Sequence, residues 1–264
     1  MSFDPALYIH RVGLSNTITI DEAGLEEIHR AQLYSIPFEN FDIHLGKPIN
    51  LDEKSLCKKL LQRNRGGYCF ELNGLLQIAL THFGFQSRSL LARVHVSGEI
   101  TGRNHQLLLV TVAGRDWICD VGFGTNSLRA PIPFELNQSR EQDGFIFRLR
   151  ADETYGYMLQ SKMGGTWQNL YSFDFSPVFP VDLELGNYFT STSPQSFFVS
   201  NRVAALGKPD GRTALINFTL RETDGPQEHV TDLEAGPSYL GVLQDYFGID
   251  LDASYGALKP IDPH

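Results

Sequence analysis

The chain has 264 residues, 42% of them hydrophobic and 20% charged, with 24 glycines and 13 prolines. This is ordinary globular composition; it excludes collagen-like, low-complexity and wholly disordered chains, and the length suits one large domain or two to three small ones. With 22 basic against 31 acidic side chains the net charge is −9, so the surface as a whole repels phosphate backbones and anionic lipids, and neither nucleic acid nor a membrane is expected as partner.

The opening MSFDPALYIHRVGL lacks the charged start and apolar stretch of a secretory leader. Apolar runs such as Leu107–Val110 fall far short of the roughly 20 residues of a bilayer crossing. Three cysteines, Cys57, Cys69 and Cys119, are too few and too scattered for a disulfide framework or a paired-CxxC zinc site. A soluble, reduced, cytoplasmic protein without a metal is the expectation.

In chain order, Asp21 caps a helix with Leu25, Ile28 and Leu33 inward. Asp52 caps another, where Leu51 and Leu56 form a hydrophobic staple and Leu56 and Leu60 share a face. A third helix runs from Cys69 to Phe83, with Leu72, Leu75, Leu76, Ala79, Leu80 and Phe83 inward and Gly84 as a left-handed cap. The period then changes to extended. Strands are expected over 86–96, 105–112, 117–121, 145–150, 155–161 and 167–173, and residues 174–182, with two prolines, form a crossing segment. Ala214, Ile216, Phe218 and Leu220 alternate as in one half-buried strand, and a last helix starts near Pro237 and stops at Gly248. The order is helices, strands, then a mixed tail.

The segment Arg65-Gly66-Gly67-Tyr68-Cys69-Phe70-Glu71-Leu72-Asn73 holds the clearest chemistry. Two glycines let a loop turn directly into a helix. Cys69 falls in the first turn, where unpaired N–H groups and the positive end of the dipole favour a thiolate and can hold an oxyanion. The alternative is a small buried hydrophobe. A thiolate nucleophile needs a base and a group that orients the base. If Ala113-Gly114 is a two-residue hairpin turn, Asp120 faces Leu107 and His105 lies one diagonal step away on the same face, within reach of a His–Asp hydrogen bond. The same alternation turns Cys119 away. His10, His29, His44, His82, His95, His229 and His264 show no metal spacing and read as structural or solvated.

These residues resemble the arylamine N-acetyltransferases. Arg65–Asn73 looks like the family's nucleophile segment; Ile36-Pro37-Phe38-Glu39-Asn40-Phe41-Asp42, with Leu45-Gly46 and Leu51-Asp52, looks like its N-terminal signature. His105–Val110 and Asp120-Val121-Gly122-Phe123-Gly124 match the histidine and aspartate segments, and Asn187-Tyr188, Ser191-Thr192-Ser193-Pro194 and Phe197 match a weaker later block. The similarity covers about residues 8 to 126, with scattered support to about 200.

The resemblance implies an α+β fold with a cysteine-protease-like core: a helical bundle over 1–85, a β-barrel over 86–182 and an α/β lid over 183–264. It implies a Cys69–His105–Asp120 triad between the first two parts. Gly124 would approach the coenzyme A side, and Phe38 and Phe123 would line the acetyl and acceptor pocket. Asn104 stands where relatives often carry Ser or Thr, and is a further substrate contact. Glu39 and Arg65 are expected as a buried pair fixing the nucleophile loop. The implied activity is ping-pong transfer of acetyl from acetyl-CoA, a co-substrate and not a bound cofactor, to arylamines, arylhydrazines or N-hydroxyarylamines, with a place in xenobiotic metabolism. An amide synthase, a transglutaminase-like or cysteine-peptidase-like hydrolase, or a non-catalytic binding protein on the same scaffold are the alternatives.

Overall fold

A computed structural model describes residues 2–15, 17–225 and 227–261. The N-terminal part is helical: α1 Pro5–Val12, α2 Glu22–Ser35, α3 Phe41–His44, α4 Glu53–Cys57 and α5 Cys69–His82. Asp21 and Asp52 cap as expected, accepting the N–H groups of Gly24 and Ser55. Gly84, at φ 93°, ends the α5 segment in the left-handed region. α1 lay outside the expected elements, although Asp4 accepts the Ala6 and Leu7 N–H groups and Gly13 closes the helix at φ 70°. α4 continues into a π-helical turn, Lys58–Gln62, which keeps Leu60 and Leu61 buried.

Eight antiparallel strands follow: β2 Gln86–Val94, β3 His105–Val112, β4 Arg115–Cys119, β5 Ile132–Pro133, β6 Arg140–Gln142, β7 Phe145–Asp152, β8 Gly156–Met163 and β9 Thr166–Phe173. Their order, β5-β4-β3-β2-β9-β8-β7-β6, curls into a near-closed barrel. The tail comprises α6 Pro180–Thr192, α7 Phe197–Ser200, β10 Val203–Lys208, β11 Gly211–Ile216, β12 Thr219–Asp224, β13 Gln227–Asp232 and α8 Ser238–Phe247. The two-residue strand β1, Phe38–Glu39, joins the second sheet, ordered β1-β10-β11-β12-β13, so the N-terminal signature is stitched to the tail.

Among the described residues, three apolar cores hold this together. One packs α1, α2 and α5 against the α5-facing side of β2, β3 and β4; one fills the barrel; the third lies between α8 and the second sheet. α5 is buried nearly all round, with Leu75, Leu76, Ala79 and Leu80 fully enclosed. Burying each such leucine contributes roughly 1.5–3 kcal/mol.

Two expectations need correction. The strand expected over 117–121 ends at Cys119. The Asp120 and Val121 N–H groups turn inward instead, to His29 and to Asn73. The alternating stretch from Ala214 to Leu220 is a hairpin, not one strand: Asn217 takes φ 54°, Ile216 ends β11 and Thr219 opens β12. Asparagine tolerates the left-handed region better than most residues. The side-chain alternation survives across the turn because Phe218 folds back into the core.

Candidate active site

The site is assembled where the start of α5 meets the β3–β4 hairpin. Gly66 and Gly67 precede it because nothing larger fits: a Cβ on Gly66 would stand 2.0 Å from the Pro37 carbonyl oxygen, and one on Gly67 would stand 2.7 Å from Glu71 Cβ. The loop is anchored to β1 by the Glu39 N–H donating to the Gly67 carbonyl (2.9 Å) and the Gly67 N–H donating to that of Pro37 (3.2 Å). Cys69 is therefore delivered as the first residue of α5, 4% exposed, with Sγ 3.9 Å from the Asn104 carbonyl oxygen.

Behind this loop lies a charge cluster. Arg65 pairs with Glu39 (2.7 Å) and Asp42 (3.1 Å), and Lys59 pairs with Asp42 and Glu71 (2.8 Å each). Glu39 Oε2 accepts the Phe41 N–H, and Glu71 Oε2 accepts the Tyr68 N–H. Burial pushes the Glu71 carboxyl up to about 6 against the opposing pull of Lys59. The expected Glu39–Arg65 pair is thus part of a five-residue network. The tip of the loop is also tied to α6, since Tyr68 Oη hydrogen-bonds the Asn187 side chain.

On the barrel side, Ala113 and Gly114 take φ 50° and 76°, and Val112 pairs with Arg115, as the two-residue turn requires. This register brings His105 Nε2 to 2.8 Å from Asp120 Oδ2. Cys119 faces the other way, into the helical core, and burial with the neighbouring Asp120 raises its thiol pKa. Burial alone would lower the His105 pKa, but Asp120 and the hydrogen-bonded Cys69 side chain together raise it to about 10. Asp120 is held below the usual carboxylate range despite burial, by His105, Asn73 and the Gly122 N–H.

Sequence reading missed these supports. Asn73 stands one helical turn after Cys69 and donates to Asp120 Oδ1 (2.9 Å) and to the Gln106 carbonyl (2.6 Å). The i,i+4 spacing to Cys69 was the available signal. His29 is fully buried; burial lowers its pKa to about 4, and Nε2 accepts the Asp120 N–H at 3.2 Å. Nothing in sequence marks that contact. Tyr171 packs its ring against His105 and Phe123, with centroids 5.0 and 4.9 Å apart.

Of the remaining expected site residues, Phe123 sits edge-on to the His105 ring at 4.9 Å. Phe38 is buried, packs on Phe198 at 5.7 Å, and would touch a Cβ added at Gly124 (3.9 Å). Gly124 takes φ 64° and opens a 3-10 turn, Gly124–Asn126. Asn104 turns its carbonyl to the sulfur, while its Oδ1 is buried with no partner among the described residues. Cys57 lies apart, in the helical core. His264 lies outside the described residues. No helix among the described residues is long and apolar enough to cross a membrane.

The N-acetyltransferase family model matches residues 21–255. The chain is 38% identical over 237 residues to the arylamine N-acetyltransferase / N-hydroxyarylamine O-acetyltransferase of Salmonella typhimurium, covering 88% of this chain and 84% of that one. It is 36% identical over 262 residues to the arylamine N-acetyltransferase of Mycolicibacterium smegmatis, covering 95% and 94%. Among solved structures, that of the Salmonella typhimurium arylamine N-acetyltransferase superposes with a TM-score of 0.92 at 33% identity, covering 97% of each chain. The Mycobacterium marinum arylamine N-acetyltransferase in complex with CoA gives 0.91 at 31% identity, again over 97% of each.

Proposed function

The chain belongs to the arylamine N-acetyltransferase family, and we propose that Cys69, His105 and Asp120 are the residues through which it moves acetyl from acetyl-CoA to an aromatic amine. The activity itself, acetyl-CoA-dependent N-acetyl transfer through a cysteine, follows from membership. The observation that carries the residue assignment is the His105 imidazole, held by Asp120 at 2.8 Å and hydrogen-bonded to the side chain of Cys69 at the start of a buried helix.

The reacting pair forms as Cys69 passes its thiol proton to His105, whose Nε2 is occupied by Asp120. The sulfur attacks the thioester carbonyl, and N–H groups of the first turn of α5 stabilise the oxyanion. As the tetrahedral centre collapses the C–S bond to CoA breaks, CoA leaves as the thiol with the imidazolium proton, and acetyl-Cys69 remains beside neutral His105. An arylamine nitrogen then attacks this acetyl group; His105 takes the amine proton and the Cys69 thiolate is expelled, restoring the pair. Asp120 keeps the imidazole oriented throughout. Aromatic amines suit the second step because they are largely unprotonated at neutral pH, and arylhydrazines and N-hydroxyarylamines share that property.

Phe123 and Phe38 are the proposed walls for the acetyl and aromatic groups, Gly124 the open approach for CoA, and Asn104 Oδ1, without a partner among the described residues, an acceptor for a substrate N–H. The proposed division is 1–85, 86–182 and 183–264; the first core reaches across the first boundary to β2, β3 and β4, and α6 runs across the second. A reduced cytoplasmic setting and a role in handling foreign amines complete the reading; the three free cysteines support the setting.

Labelled acetyl-CoA supplied without an acceptor tests the proposal. One acetyl group is expected on the peptide carrying Cys69, released on adding an arylamine. Label on Cys57 or Cys119, or no label, overturns it.

A further inference from the structure

The turn that follows Phe123 is held from the second sheet. Arg212 on β11 directs Nη1 to the Thr125 carbonyl (3.1 Å) and to Asn126 Oδ1 (3.2 Å). Its Cζ lies 5.6 Å from the centroid of the Phe145 ring, which also receives the Arg129 guanidinium at 4.3 Å. Arg129 is 1% exposed and donates from Nη2 to the carbonyl of Gly211, the residue before Arg212 (3.3 Å). Gly207, paired with Arg212 across β10 and β11, makes the room: a Cβ there would stand 2.4 Å from Arg129 Nη1. One guanidinium from the barrel and one from the second sheet therefore meet on a single aromatic ring, at the foot of the loop that carries Phe123.

That loop is short and closed on itself. The Phe123 N–H donates to Ser127 Oγ (2.8 Å), and the Ser127 N–H donates to the Gly124 carbonyl (3.3 Å). Its outer side has Arg212 as its tie to the sheet, and its inner side presents Phe123 to His105 and Tyr171. A guanidinium suits the task because its Nη1 alone carries two N–H donors for the two acceptors while the delocalised cation faces an aromatic ring; an ammonium is a more strongly hydrated point charge.

We infer that Arg212 is a positioning residue for acceptor selection: by tying the Thr125 carbonyl and the Asn126 amide to the second sheet, it fixes the turn that sets Phe123 against the reaction chamber. Discrimination among aromatic acceptors then depends on a side chain outside the chamber. The inference rests on the proposed roles of acetyl-Cys69 and Phe123, and the experiment separates the two.

Arg212→Met keeps the apolar stem and removes the donors; Arg212→Lys keeps one cationic donor; Asn126→Ala removes one acceptor. Each full-length variant is acetylated at Cys69 with acetyl-CoA alone. Decay of the acetyl-enzyme is then followed against the concentration of a one-ring and of a fused-ring arylamine. For Arg212→Met, acetylation of Cys69 stays close to wild type. The half-saturating acceptor concentration rises about tenfold, as loss of a charge-assisted hydrogen bond implies. The limiting rate changes less, and the preference between the two acceptors narrows. Asn126→Ala shifts the same way by less, and Arg212→Lys recovers part of the loss. Unchanged half-saturation and preference in both Arg212→Met and Asn126→Ala overturn the inference, as does a loss confined to the limiting rate. Failure of wild-type enzyme to take label on Cys69 defeats the underlying reading instead.

Discussion

The two halves of the site are held by different physics. Behind Cys69 the support is ionic: Glu39, Asp42, Lys59, Arg65 and Glu71 interlock within the helical part, and their ion pairs fix a glycine turn. Behind His105 the support is a set of oriented neutral donors and aromatic rings. Asn73 and the Gly122 N–H donate to Asp120 Oδ1, the Asp120 N–H donates to neutral His29, and Tyr171 and Phe123 wall the imidazole. The difference follows from what each side must do. A loop can be clamped by fixed charges that never enter the reaction, whereas a carboxylate that has to raise an imidazole pKa works best where neutral dipoles leave its charge unmatched except by that imidazole.

Four experiments break or sharpen this contrast. Cys69→Ala removes the proposed acyl carrier, and acetyl transfer falls by roughly 10⁴-fold or more, with an unfolding midpoint near that of wild type. Asp120→Asn retains an Asn-sized hydrogen-bonding group but withdraws the charge; transfer falls by roughly 10²–10⁴-fold. In wild type the His105 ring resonances stay in the imidazolium form from neutral pH until they titrate near 10; in Asp120→Asn that titration moves down. The sign for stability is the same. A histidine pKa raised on folding stabilises fully below its unfolded value near 6.5, and that contribution is lost as pH rises through about 10, so wild type weakens on the alkaline side more steeply than Asp120→Asn.

Arg65→Met acts on stability first. It leaves buried Glu39 without its cation, and urea unfolding is expected to show a loss of about 3–5 kcal/mol. The smallest effect belongs to Glu71→Gln, which keeps an acceptor for the Tyr68 N–H. Because folding raises the Glu71 pKa from 4.5 to about 6, its contribution is present below 4.5 and lost as pH rises through 6. The variant removes that slope, worth at most about 2 kcal/mol. A slope that persists in Glu71→Gln assigns the titration elsewhere in the cluster.

Much of the local structure was legible because it depends on neighbours in sequence. Asp21, Asp52 and Gly84 mark their helix ends through backbone geometry and capping alone. The Ala113-Gly114 turn fixed the parity that puts His105 and Asp120 on one face and Cys119 on the other, since side chains alternate strictly along strands. Where local signals were ambiguous the reading slipped. Asn217 hid a turn inside an unbroken apolar alternation, and the end of β4 was misplaced because Asp120 finds its partners on α5 and α2, far along the chain.

Residue identity, spacing and turn chemistry set Cys69 at a helix start and His105 with Asp120 on one hairpin face, and the family resemblance is what proposes them as nucleophile, base and orienting carboxylate. Only the packed molecule decided how they are tuned. It buried His29 as a neutral acceptor under Asp120, placed Asn73 between helix and hairpin, gathered five charges behind one loop, and reached from the second sheet through Arg212 to the turn beside Phe123. These contacts join residues from 12 to 91 positions apart in the chain. Short-range pattern cannot encode them, because burial and desolvation exist only once distant surfaces have closed on one another.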